Sequence, residues 1–285
     1  MILRSILFSL ILIATTQRAA AQSWQWAKQA GDSATDAGYS VATDAAGNVY
    51  VAGLYSSDSI SFGTFTFLNS TIGAPFANSY EIFLVKYSPS GNVIWAKSYG
   101  STSLDRAYSI AVDQWGNIYL TGYYSGNITF GSTTLMGSGT TKMFLTKINS
   151  SGTVIWSQAS NGEAEGHSIA LDSHGNVYIG GFFASTSITF GASTIFSNGA
   201  NDAYLVKYDS SGIVHWAKNI GGTDYEDLNA VMCDQFDNIY VGGSFFSNSV
   251  TTATTALTNA GSTDFFLIRY DTSGNEIWAR SAGGI

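Results

Sequence analysis

The chain has one cysteine, two prolines and few charges: Asp, Glu, Lys and Arg make up 11% of its 285 residues, against roughly 25% in an ordinary soluble domain. A lone thiol excludes an internal disulfide framework, so the fold must be held by its core. Twelve basic residues against 20 acidic ones, a net charge of −8, leave no basic face for phosphates and exclude nucleic acid as a partner. Beyond the first residues no apolar run is long enough to span a bilayer. What the chain does have is 14% aromatics and 31 glycines. Abundant rings with little charge argue against disorder. Abundant Gly and Tyr with scarce Glu, Lys and Arg argue against helices.

Met1 to Ala21 reads as a secretory signal peptide. Arg4 opens it, Ile6 to Ala14 is apolar apart from Ser9, and Ala19-Ala20-Ala21 supplies the small residues a signal peptidase needs. The apolar stretch is about half of what a membrane span requires. Residues 1–21 are therefore expected to be removed, leaving residues 22–285 without a transmembrane segment. Removal takes two of the basic residues, Arg4 and Arg18, and the net charge becomes −10. The expected location is outside the cell, on its outer surface or in the periplasm.

Self-similarity dominates the rest. Trp-Ala-Lys/Arg recurs at Trp26, Trp95, Trp216 and Trp278, with the variant Trp156-Ser157-Gln158, at spacings of 69, 61, 60 and 62. Ser-Gly-x-x-x-Trp precedes four of them, at Ser90, Ser151, Ser211 and Ser273. Upstream lies an apolar run with one basic residue, as in Phe83-Leu84-Val85-Lys86-Tyr87 and Phe266-Leu267-Ile268-Arg269-Tyr270. A third motif, Asp-x-x-Gly-Asn-Val/Ile-Tyr, starts at Asp44, Asp113, Asp172 and Asp234, the last with Asp237 in place of Gly. Gly, and after it Asp or Asn, suits a turn residue with positive φ. The leading Asp suits a cap for backbone N–H groups two residues on.

Each unit reads as four short strands rich in β-branched and aromatic residues and bounded by Gly, Ser and Asn. Repeated four-stranded units with a Trp on the last strand predict an all-β β-propeller, or an incomplete arc of one. Four full blades are expected at about 36–98, 105–160, 166–220 and 227–282, after an orphan strand at Trp24 to Ala30. The chain stops where a fifth first strand would start, which predicts a truncated reading frame. The tryptophans should pack between blades, so that Trp156→Ala costs roughly 3–5 kcal/mol. Cys233 stands where other repeats have Thr43, Val112 and Leu171, the place of a small buried hydrophobe.

The segments Val41 to Gly53, Phe83 to Tyr87 and Gly91 to Trp95 resemble the bacterial SBBP repeat, a β-propeller repeat family, and the likeness recurs over nearly all of residues 24–283. The composition resembles that of exported Bacteroidetes proteins. The resemblance implies an exported or cell-surface propeller without fixing one activity.

No catalytic constellation is legible, and no catalytic residue is assigned. His167, His174 and His215 fall at three different repeat positions, which does not indicate a metal site. The segment leading into each first strand is acidic. Asp36, Asp105, Glu165 and Asp227, one per blade, would form an acidic rim able to hold Ca²⁺; the alternative is that they bond backbone N–H groups of the connecting loops. No other cofactor is indicated. Aromatic residues after the second strands, Tyr55, Tyr124, Phe183 and Phe246, are candidate rings for a sugar, with core packing as the alternative. The expected function is a non-catalytic binding or scaffold module for extracellular glycans or proteins. Two rivals stay open: a secreted lyase or hydrolase with its site at the channel mouth, and a fragment of a larger adhesin.

Overall fold

A computed structural model of the chain describes residues 25–72 and 79–284. The expected signal peptide at residues 1–21 and Trp24 of the expected orphan strand lie outside the described residues. Every element among those described is a strand. Blade 1 comprises β1 (Asp36–Thr43), β2 (Val49–Tyr55), β3 (Ser59–Phe62), β4 (Phe65–Leu68), β5 (Glu81–Tyr87) and β6 (Val93–Tyr99). Blade 2 comprises β7 (Asp105–Val112), β8 (Ile118–Tyr124), β9 (Ile128–Phe130), β10 (Thr133–Leu135), β11 (Lys142–Ile148) and β12 (Val154–Ala159). Blade 3 comprises β13 (Ala164–Leu171), β14 (Val177–Phe183), β15 (Ser187–Phe190), β16 (Ser193–Phe196), β17 (Asp202–Tyr208) and β18 (Val214–Ile220). Blade 4 comprises β19 (Glu226–Cys233), β20 (Ile239–Phe245), β21 (Ser249–Thr251), β22 (Ala256–Thr258), β23 (Asp264–Tyr270) and β24 (Glu276–Ala282).

In each blade the first, second, fifth and sixth of these strands form one antiparallel sheet in that order. The third and fourth strands form a separate two-stranded hairpin, which the four-strand reading of the sequence did not contain. In blades 2 and 3 this stretch carries Ile-Thr-Phe-Gly, at Ile128 to Gly131 and Ile188 to Gly191. Those residues are the hairpin: Ile128, Phe130, Ile188 and Phe190 are buried against the main sheets.

The Asp motif builds the turn between the first two strands. In blade 3, Asp172 Oδ1 accepts from the N–H groups of His174 (3.0 Å) and Asn176 (2.9 Å), and Oδ2 accepts from Asn176 Nδ2 (2.7 Å) and Tyr178 Oη (3.0 Å). Asp44, Asp113 and Asp234 repeat this network with Asn48 and Tyr50, Asn117 and Tyr119, and Asn238 and Tyr240. The Asp, Asn and Tyr of the consensus are therefore each held by a bond. The Gly position carries φ near +78° to +79° in blades 1 to 3, and Asp237 holds it at +60°.

Successive blades share one kind of joint. Trp95, Trp156 and Trp216 lie over Gly152, Gly212 and Gly274 of the following blade's Ser-Gly turn. The lysines of the fifth strands reach the same turn: Lys86, Lys147 and Lys207 Nζ donate to the carbonyls of Ser150, Ser210 and Thr272. At the inner edge, Ser40, Ser109 and Ser168 Oγ accept from the N–H groups of Ile110, Ile169 and Val231 in the next first strand. These serines tie successive first strands together. Core clusters join blades 1 and 2, 2 and 3, and 3 and 4. Among the described residues no core cluster joins blade 4 to blade 1, so the propeller is an open arc.

The N-terminal segment differs from expectation. Residues 25–30 form no strand. Trp26 nevertheless makes the joint: its ring lies over Gly91, its Nε1 donates to Pro89 O at 2.9 Å and it packs on Tyr87 at 5.6 Å. Cys233 is half-buried against the blade 3–4 core, and burial pushes its thiol up to about 12. That environment favours the neutral thiol over a nucleophilic thiolate.

Candidate functional site: a row of rings on the inner edge

Each first strand carries one β-bulge at the same step. The register slips at Tyr39, Tyr108, His167 and Asn229, each of which has no partner on the second strand. The opposing position is glycine in all four blades. A Cβ on Gly53, Gly122, Gly181 or Gly243 would overlap the carbonyl oxygen of Ala37, Arg106, Glu165 or Asp227. Bulges re-aim the side chain they carry. Here they set the side chains of successive blades next to one another. Tyr39 and Tyr108 meet edge to face with centroids 5.5 Å apart, and Tyr108 and His167 do so at 5.0 Å.

The blade 3–4 end of this row is ionic. His167 Nε2 lies 3.3 Å from Glu165 Oε2, and His167 Nδ1 lies 3.0 Å from Asp227 Oδ1. Its ring also packs on Phe182 at 5.4 Å. Burial alone would lower the imidazole, but hydrogen bonds and charge from Asp227 and Glu165 outweigh it and raise its pKa to about 9. The group is an imidazolium at neutral pH. With both ring nitrogens on carboxylates it has no lone pair for general-base work. On the other side of Tyr108, Arg106 donates to its hydroxyl at 3.4 Å and lies over the rings of Tyr80 and Tyr123. Beside Asp227 a cavity of about 170 Å³ opens between Phe182, Tyr225 and Phe246, with Asn201, Glu226 and Ser244 as its further polar lining. Tyr225 and Phe246 are exposed at its mouth, at 52% and 48%.

The four carboxylates expected as one rim fall into two register classes. Asp36 and Asp105 pair with Tyr55 and Tyr124, the step that Ala164 and Glu226 occupy in blades 3 and 4; Glu165 and Asp227 sit one residue further on. Neighbouring residues of a strand point to opposite faces, so the structure does not bring the four together. Asp36 and Asp105 bond loop N–H groups: Asp32 N at 2.8 Å and Ser101 N at 2.6 Å. Burial pushes Asp105 up to about 6. Glu165 and Asp227 meet instead at His167. Among the described residues no three His, Cys, Asp or Glu side chains gather into a metal-holding group.

The candidate rings divide as well. Tyr55, Tyr124 and Phe183 are core residues, 0 to 1% exposed. Tyr55 Oη donates to Glu81 Oε2 at 2.7 Å, and Tyr124 Oη donates to Met136 O. Their true counterpart in blade 4 is Phe245, also buried; Phe246 lies one position beyond and is exposed. Of the four, only Phe246 lines the site. The sequence did not single out Tyr39, Tyr108 and Tyr225. The alignment of His167 with Tyr39, Tyr108 and Asn229 was the available signal, since one position in every repeat then carries a ring or a polar group outside the alternating pattern.

The fold and this edge define a β-propeller-type repeat protein. Residues 25–54 match the family described as SBBP, beta-propeller repeat, and the chain carries a repeat of that family. Two curated relatives are similar over longer stretches. An uncharacterized WD repeat-containing protein of Acanthamoeba polyphaga mimivirus is 27% identical across 91% of this chain and 23% of its own length. The regulatory protein FlaEY of Caulobacter vibrioides is 28% identical across 49% of this chain and 15% of its own. The chain thus spans less than a quarter of the length of either relative. A crystal structure of a protein of unknown function from Bacteroides caccae is similar at 12% identity, with a TM-score of 0.39 over 86% of this chain and 81% of the other.

Proposed function

We propose that the protein is an exported, non-catalytic binding module that takes an extracellular glycan along the inner edge of its blades. The observation that carries this reading is the bulge-borne row ending in the cavity between Phe182, Tyr225 and Phe246. Ring faces there suit the apolar faces of sugars, while Asn201, Ser244 and Asp227 offer donors and acceptors for hydroxyls. The bulges and their glycines hold the row on strands rather than loops, which preorganises it. Glycan-array binding by the full chain tests the reading. Tyr225→Ala and Phe246→Ala should each weaken the selected glycan about tenfold, the worth of one ring contact. An array without a single specific hit, or a double variant that binds as the parent does, overturns it.

A second reading, a scaffold for protein partners, draws on the WD repeat-containing relative and would show as a protein ligand on the same edge. Export rests on residues 1–21. An N-terminus at Gln22 in the surface or supernatant fraction is the expected result, and an uncleaved chain confined to the cytoplasm would contradict it. Among the described residues no helix is long and apolar enough to cross a membrane.

A further inference from the structure

We propose that the glycan taken along the inner edge is an anionic one, with its carboxylate or sulfate held by Arg106 at the blade 1–2 end of the row. This rests on the glycan reading above and adds the charge of the ligand. Arg106 occupies the step just before the bulge, which Ala37, Glu165 and Asp227 occupy in the other blades. The step therefore changes sign along the row. Glu165 and Asp227 share the imidazolium of His167. Arg106 has no carboxylate partner among the described residues, and Glu165, at the same step in the next blade, is taken by His167 instead.

What surrounds Arg106 is aromatic. The guanidinium lies over Tyr80 at 4.7 Å and over Tyr123 at 5.7 Å, and Nη1 donates to Tyr108 Oη at 3.4 Å. Tyr80 is set there by the seam between blades 1 and 2, where its carbonyl accepts from Asp105 N at 3.0 Å. Two rings hold a guanidinium by its faces and use none of its N–H donors. Nε is buried with no acceptor, and the Tyr108 hydroxyl is the one acceptor the group meets among the described residues. Arg106 is nevertheless part-exposed, so a ligand can reach its tip. A cation left this short of acceptors costs stability, and an oxyanion supplies the charge-assisted bonds it lacks. Tyr39, 45% exposed and edge to face with Tyr108, offers the same sugar a ring. Blade 2 has both neighbouring blades in place, so this site does not lie at an end of the arc. The row also orients its ligand: Glu165 and Asp227 repel an anion from the cavity end and accept from hydroxyls there, which leaves the charged sugar to Arg106.

The test applies the full chain to an array of uronic-acid, sulfated and neutral glycans. The strongest charged hit is then titrated by calorimetry beside its carboxyl-reduced or desulfated counterpart. Hits should fall among the charged glycans, and uronates against sulfates tell which oxyanion is read. The neutralised counterpart should bind at least about tenfold more weakly, the worth of a hydrogen bond to a charged group. Affinity for the charged glycan should also fall several-fold between about 50 and about 500 mM NaCl, while that for the counterpart holds. Both measurements use the parent, so they stand even where a variant is unstable. Arg106→Gln should bring the charged glycan down to the level of its counterpart without weakening the counterpart, and Arg106→Lys should keep part of the preference. Neutral hits alone, or equal binding of the charged glycan and its counterpart, overturn the inference and leave the glycan reading in place. An array without a specific hit overturns both. An Arg106→Gln variant that melts lower yet keeps the parent's preference makes Arg106 a structural staple and overturns the inference as well.

Discussion

At the scale of single residues, the Asp of the first turn does more than shape a loop. Asp172 takes four hydrogen bonds, one of them from the hydroxyl of Tyr178, which is fully buried. Asp172→Ala removes both acceptor oxygens, and with them all four bonds, and leaves that hydroxyl unpaired. The expected cost is about 2–3 kcal/mol, the penalty for a buried polar group stranded without a partner, and urea unfolding would measure it. Asp172→Asn retains one side-chain oxygen and should cost less. In blade 1 the same network shows in the titration of Asp44. Burial would raise it, but Asn48, Tyr50 and Lys86 hold the carboxyl down at about 2. This motif was fully legible in the sequence, because all its bonds fall within seven residues. The carboxylates of the first strands needed a closer count. Asp36 and Asp105 lie eight residues before the motif Asp, Glu165 and Asp227 only seven, and the sheet sets the two pairs one step apart accordingly. A shift of one residue reverses the face of a strand, and a single rim of four overlooks that offset.

At the scale of elements, the repeated tryptophans bind blade to blade, as their period suggested. Trp156 packs edge to face on Tyr119 of its own blade and covers Gly212 of the next. It is half-buried, so Trp156→Ala should fall near the low end for a core aromatic, about 3 kcal/mol. A melting curve identical to the parent's would contradict this. The main strands were legible from alternation and turn residues. The hairpins were not, since three or four residues carry too little period to be recognised. The aromatic pairs after the second strands misled for a related reason. Tyr123-Tyr124 and Phe182-Phe183 each place one ring on either face, and only the ladder shows which is which. The bulge hid the row that does face outward. It breaks alternation at one residue per blade, so Tyr39, Tyr108 and His167 read as irregularities rather than as a line of neighbours.

At the scale of the whole molecule, the scarcity of charge concentrates electrostatic control in few places, and the blade 3–4 joint is one of them. His167 belongs to blade 3, Asp227 to blade 4, and the imidazolium ties them at 3.0 Å while Glu165 holds its other nitrogen. Its pKa is raised from 6.5 in the unfolded chain to about 9 in the fold. A raised value means that the folded state binds the proton more tightly. The stabilisation is therefore complete below about pH 6.5 and is lost as pH rises through about 9. Its size is on the order of 2–3 kcal/mol, as a shift of this extent implies for a group that is largely buried. Two other groups with raised values act outside that window: the contribution of Asp105, raised from 3.8 to about 6, is present at low pH and is already lost once pH has risen through about 6, and that of Cys233, raised from 9.0 to about 12, is lost only as pH rises above about 9. The melting temperature of the parent should fall between pH 6.5 and 9. In His167→Phe, which keeps a ring against Tyr108 and Phe182, the fall over that interval should vanish. A variant that retains the parent's slope would show that the joint between blades 3 and 4 is held by packing alone. The same titration bears on the edge proposed to bind a glycan, because losing the proton leaves Glu165 and Asp227 without their shared cation beside the cavity. Glycan affinity and melting temperature should then decline together across pH 6.5 to 9 in the parent, and in His167→Phe neither should depend on pH.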